Sequence, residues 1–138
     1  QLLRQFEVNA VGPALLMKHF SPLLLSQEPS CFATLSARVG SIEDNRLGGW
    51  YSYRASKAAL NQIVRTAAVE LRRNNPAAIC AALHPGTVDT PFTKPFAKTG
   101  LEVQAPEAAA GKILQVIDTL ETSDTGTFID QHGKKIDW

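Results

Sequence analysis

The sequence is poor in cysteine and in aromatic residues, and neither charge sign is in excess. Only Cys31 and Cys80 occur, and they lack C-x-x-C spacing. Both sit inside apolar, strand-like segments, so they read as buried reduced thiols rather than a disulfide framework. That favours a reducing compartment, the cytoplasm. Fourteen Lys and Arg stand against 13 Asp and Glu, a net charge of +1. No run of like charge marks a nucleic-acid or membrane surface, so the balance admits a small, nearly neutral partner. No stretch approaches ~18 apolar residues, and no charged segment leads into an apolar one with a cleavage site, so no membrane association is expected. His19, His84 and His132 have no mutual metal-ligand spacing, and metal catalysis is not indicated.

What is there suffices for one modest core: 138 residues, 44% of them hydrophobic. From residue 2 to about 27, Leu3, Phe6, Val8, Val11, Leu15, Leu16, Phe20 and Leu24 recur close to the helical period. Residues 31–35, CFATL, form a continuous apolar, β-prone run, the pattern of a strand buried on both faces of a parallel sheet. A loop with Gly40, Gly48 and Gly49 follows. Residues 53–74 predict an alanine-rich helix ending in two arginines, which suit a helix C-terminus. AAICAALHPG reads as a strand stopped by Pro85 and Gly86, and residues 86–105 as a long loop shaping a ligand site. A helix with Pro106 in its first turn and a strand within GTFIDQHG complete the order. Alternation of this kind predicts an α/β fold with an open parallel sheet.

Within GWYSYRASKAALN, residues 49–61, two tyrosines precede Lys57. Tyr53 lies four residues before it, one turn away on the same helix face. Tyr51 lies six residues before it, and six steps rotate by about 240°, away from the lysine. Tyr53 is therefore the candidate acid. A free phenol has a pKa of about 10, and a nearby ammonium lowers it toward a useful general acid or base. The alternative is an amphipathic helix with a packed tyrosine and a solvated lysine. Asn9 has a local argument: Pro13, four residues on, has no N–H for the Asn9 carbonyl, which leaves room for a water or marks a simple proline kink.

The segment YRASKAALN resembles the Tyr-x-x-x-Lys segment of short-chain dehydrogenases/reductases. FEVNAVGPALL is similar to that family's Asn-bearing helix, ATLSARVGSI to its serine-bearing strand end, and LHPGTVDT to its Pro-Gly loop. The wording of residues 38–61 and of FIDQHGKKIDW is most similar to the subgroup of the cell-cell signalling C-factor and the sniffer-type carbonyl reductases. The resemblance implies a Rossmann-like doubly wound sheet and hydride transfer between NADP, or NAD, and a small carbonyl or alcohol substrate. It implies Tyr53 as general acid or base, Lys57 lowering its pKa and holding the ribose, and Asn9 supporting a water relay. Pro85, Gly86, Thr87 and Thr90 match the nicotinamide-contacting loop. Phe92 and Phe96 wall the substrate pocket or anchor the loop.

The serine departs from the pattern. Alignment on Gly40 puts Ala37 at the catalytic position and Ser36 one residue before it, and neighbours on a strand point to opposite faces. Ser36 is retained as a catalytic candidate beside its other role, capping a strand end, and Ser41 is a second one. None of the nine glycines forms G-x-G-x-x-G or the looser G-x-x-x-G-x-G of a pyrophosphate turn. The chain also enters helical periodicity directly from Gln1. Residues 1–138 are therefore expected to be the C-terminal catalytic portion of one Rossmann domain, with a glycine-rich half outside them. Helices 2–27 and 53–74 correspond to the pair that builds family oligomers, implying a homo-oligomer. A second expectation is a signalling or interaction protein on the same scaffold.

Overall fold

The computed structural model describes residues 1–24, 27–94 and 102–138. Three parallel strands, β1 (Ser30–Leu35), β2 (Ala78–His84) and β5 (Phe128–Asp130), form a sheet in the order β1-β2-β5. Ser30 pairs with Ala78 and Leu35 with Leu83, while Ala82 pairs with Phe128 and His84 with Asp130. Helix α3 (Tyr51–Asn74) connects β1 to β2, and α4 (Pro106–Thr119) lies between β2 and β5. This is the expected α/β, Rossmann-like arrangement.

Each face of the sheet has its own core. Leu60, Val64 and Ala68, four residues apart on α3, meet Cys80, Ala82 and Phe128 on one face, with Met17 and Ile136 closing the cluster. On the other face Ile113 and Val116 of α4 cover Leu83 and Ile129. Alternation along β2 thus sends Ala82 to α3 and Leu83 to α4. Burying Phe128, Leu60 or Leu83 contributes about 1.5–3 kcal/mol each.

The first helix is not the continuous element that its periodicity predicts. It runs as α1 (Leu2–Phe6), a π-helical turn over Glu7–Val11, α2 (Gly12–Phe20) and a 3₁₀ turn over Ser21–Leu23. The wide turn falls where Pro13 withholds an N–H, and the Gly12 N–H instead reaches back five residues to the Glu7 carbonyl. Between β2 and α4, two short strands, β3 (Thr87–Val88) and β4 (Val103–Gln104), pair in parallel and clip the base of the loop. Periodicity gave no sign of them, because two-residue strands carry none. Pro106 does open α4, at its first turn. Among the described residues no helix is long and apolar enough to cross a membrane, and no group of three His, Cys, Asp or Glu is placed to hold a metal.

Candidate active site

Helix α3 lies along the carboxyl end of β1, the side where open α/β sheets receive ligands. Its buried stripe carries Ser56, Lys57 and Asn61 in the N-terminal half and only apolar residues beyond. The turn after β1, Arg38–Gly40, presses against this polar part. A Cβ on Gly40 would stand 2.7 Å from the Lys57 Cβ and 2.9 Å from its carbonyl carbon, so only glycine permits the approach.

Tyr51 is the first residue of α3 and 86% exposed, whereas Tyr53 is half-buried. The choice of Tyr53 rests on this contrast as well as on spacing. Lys57 is 9% exposed, with its Nζ 6.0 Å from the centre of the Tyr53 ring. The ammonium donates to the Leu35 carbonyl at 2.9 Å. The expected lowering of the phenol pKa is not found: burial pushes Tyr53 up and Lys57 down. Desolvation disfavours each charged form, and burial is the cause that acts on the phenol. Near neutral pH the Tyr53 phenol therefore keeps its proton.

Asn9 comes to the same turn. Its Nδ2 donates to Gln5 Oε1 at 2.8 Å and to Ser56 Oγ at 3.0 Å, and Ser56 Oγ donates to the Tyr53 carbonyl at 2.8 Å. Ser36 is buried, and its hydroxyl donates to Asn61 Oδ1 at 2.6 Å. Ser41 is also buried and accepts the Asp44 N–H at 3.0 Å. Both hydroxyls therefore hold local structure.

The loop after β2 brings Phe92 to Tyr53, while its other residues bond within the loop and to β4. Gly86 turns the chain at φ 77° beside Gln131, and the Pro85 carbonyl accepts Gln104 Nε2 at 2.6 Å. Gln104 also bonds Gln131, Thr87 pairs with Val103, and the Thr90 N–H donates to Thr93 Oγ1 at 3.0 Å. Phe92 reaches the Tyr53 ring, centroids 5.7 Å apart and tilted by 56°. Phe96 lies outside the described residues.

A family model described as enoyl-(acyl carrier protein) reductase matches residues 1–123. The chain belongs to the short-chain dehydrogenase/reductase family. Over 137 residues it is 36% identical to the C-signal of Myxococcus xanthus, covering 99% of this chain and 78% of that protein. It is also similar in structure to the carbonyl reductase Sniffer of D. melanogaster and to NADPH-bound carbonyl reductase from chicken fatty liver. Each shows a TM-score of 0.86 at 30% identity, over 99% of this chain and 57% of the other. The chain thus spans little more than half the length of these two dehydrogenase/reductase relatives.

In this short-chain dehydrogenase/reductase chain, sequence reasoning passes over Asn61, Asp130 and Arg38 near the strand ends and weighs His84 only as a metal ligand. Asn61 interrupts the apolar stripe one turn beyond Lys57, the signal that would have found it. Asp130 and His84 end adjacent strands in register, and Asp130 accepts Arg38 Nη2 at 3.2 Å. Burial, and then the charge of Arg38, hold His84 down to about 4 against the opposing pull of Asp130, so the imidazole is neutral. No sequence signal marks this row, because register across nearly fifty residues creates it.

Proposed function

We propose that residues 1–138 are the catalytic portion of a single Rossmann-fold domain that transfers hydride between NADP and a small carbonyl or alcohol substrate. The observation that carries this reading is Tyr53, half-buried above the strand ends with Lys57 one turn further on and Phe92 across its ring. Its phenol, kept protonated by burial, gives its proton to the carbonyl oxygen of the substrate. Asn9, through Ser56, holds the first turn of α3. Ser36 serves as a positioning group through Asn61, since its hydroxyl is committed there.

The donor set fits the nicotinamide and ribose end of the cofactor. Lys57 spends one of its three protons on Leu35, which leaves donors for ribose hydroxyls. Pro85, Gly86, Thr87 and Thr90 supply main-chain and hydroxyl groups at the end of β2. When bound, the nicotinamide supplies or accepts the hydride. The donor set does not fit the phosphates, because no glycine-rich turn occurs in the sequence. NADP over NAD is supported by the NADPH bound to the chicken reductase.

The test is a titration of NADPH and NADH against the protein, followed by nicotinamide fluorescence, with turnover measured on a panel of small aldehydes and ketones. Saturable NADPH binding and turnover lost in Tyr53→Phe support the reading. Unchanged turnover in that variant sinks the mechanism. The likeness to C-signal, with Ala37 at the place of the family's serine, supports a second reading as a signalling or interaction protein with weak catalysis. Signalling retained by a Tyr53→Phe, Lys57→Ala double variant would favour it. A homo-oligomer through helices 2–27 and 53–74 is supported by an open groove between α2 and α3 with an apolar floor of Ala14, Met17, Ile63, Ala67 and Leu71 and polar neighbours such as Lys18 and Glu70, and light scattering reads it.

A further inference from the structure

The start of α3 lacks the side-chain cap that usually closes a helix. Trp50, which precedes it, makes no capping hydrogen bond and stands at φ 49°, ψ 41°, a left-handed conformation that a bulky residue adopts only under constraint. Gly48 and Gly49 stand at φ 64° and 70°, so three left-handed residues follow one another. An uncapped first turn frays, and Tyr53 is the third residue of this helix. Ser56 and Asn9 reach that turn from one side, and a further residue ties it on the other.

That residue is Arg54. Its Nε donates to the carbonyls of Gly48 at 3.1 Å and Gly49 at 3.0 Å, and its Nη1 to the carbonyl of Val39 at 3.2 Å. The guanidinium lies 5.9 Å from the centre of the Trp50 ring, and the Arg54 N–H closes the first helical bond on the Trp50 carbonyl at 2.9 Å. One side chain therefore joins the glycine turn, the strained aromatic and the turn after β1. Arg54, Lys57 and Asn61 share a helix face at spacings of three and four. They reach Val39, Leu35 and Ser36 in turn, so α3 is fastened to the end of β1 and the turn after it at three points.

We propose that Arg54 is a positioning residue for Tyr53. Its guanidinium fork ties Gly48, Gly49 and Val39 together beneath the first turn of α3 and so fixes the phenol over the strand ends. The proposal rests on the reading of Tyr53 as the acid. A lysine keeps the charge at this position but loses the planar fork, so it does not substitute.

The experiment compares the whole protein with Arg54→Ala and Arg54→Lys. Misplacing a reacting group by ~1 Å costs on the order of 10²-fold, so kcat for carbonyl reduction falls by about 10- to 100-fold in both variants. The KM for NADPH stays within about threefold, since cofactor binding is not what the fork controls. Added guanidinium ion restores part of kcat in Arg54→Ala and none in Arg54→Lys, a rescue that general destabilisation does not produce. Amide exchange speeds up at residues 50–54 and stays slow at 60–68. Wild-type kcat in Arg54→Ala overturns the proposal, as does a kcat loss with unchanged exchange at 50–54. If the wild-type protein shows no turnover while the exchange effect is present, the oxidoreductase reading fails and the fork's hold on Tyr53 stands.

Discussion

The two faces of the sheet are built from the same strands and differ in what their last residues do. On the α4 face Leu83 and Ile129 end in an apolar cluster with Ile113 and Val116. On the α3 face the neighbouring positions are His84 and Asp130, with Ser36 beside them at the end of β1 and Asn61 above. One face stabilises by excluding water. The other buries polar groups, with His84 Nδ1 and Asn61 Nδ2 lacking a hydrogen-bond partner among the described residues. Orphaned buried polar atoms cost stability, so a face that keeps them serves something other than stability. The difference teaches that a single-residue alternation along β2 separates scaffold from site.

Substitutions break that comparison in graded ways. The largest effect falls on the α3 face: Tyr53→Phe removes the proposed general acid and is expected to lower kcat on the order of 10²- to 10⁴-fold, with NADPH binding retained in a fluorescence titration. On the α4 face Leu83→Ala opens a cavity and costs about 2–5 kcal/mol in urea denaturation, while kcat per folded molecule is unchanged. A kcat loss there as large as that of Tyr53→Phe would erase the distinction between the faces.

His84 sharpens it with pH. Its folded pKa, about 4, lies below the ordinary value of 6.5. The unfolded state therefore binds the extra proton first, and stability is full above about pH 6.5 and is lost as pH falls toward 4. The loss is about 2–3 kcal/mol, read from urea midpoints across that window, and His84→Asn flattens the curve. The smallest effect is Asn61→Ala, which takes the acceptor from the buried Ser36 hydroxyl and costs about 1–3 kcal/mol of stability.

Much of this was legible in sequence because it is local. The alternation of apolar runs, Pro106 at a helix start and the four-residue step from Tyr53 to Lys57 depend on neighbours within one element. The exposure of Tyr51 is consistent with the rotation argument that set it aside. What escaped depends on register between distant segments. The commitment of Ser36 to Asn61, the pairing of His84 with Asp130 and the β3–β4 clip arise only once strands are aligned. The raised pKa of Tyr53 escaped for the same reason, since spacing places a charge but does not measure burial. The π turn was half legible: Pro13 marked the defect, and the geometry chose how it was absorbed.

The pairing of β2 also sets a kinetic problem. Ser30 bonds alongside Ala78, and Ala82 alongside Phe128, partners roughly 50 residues apart in both directions. Neither pairing is reachable until a whole crossover has folded back, and such non-local closures slow folding. Until then the run AICAALH, wholly apolar but for its last residue and without a partner close in the chain, remains open to a second nascent chain. The strand that becomes the most protected in the native state is thus the most aggregation-prone during synthesis, and early formation of α3 is its natural shield.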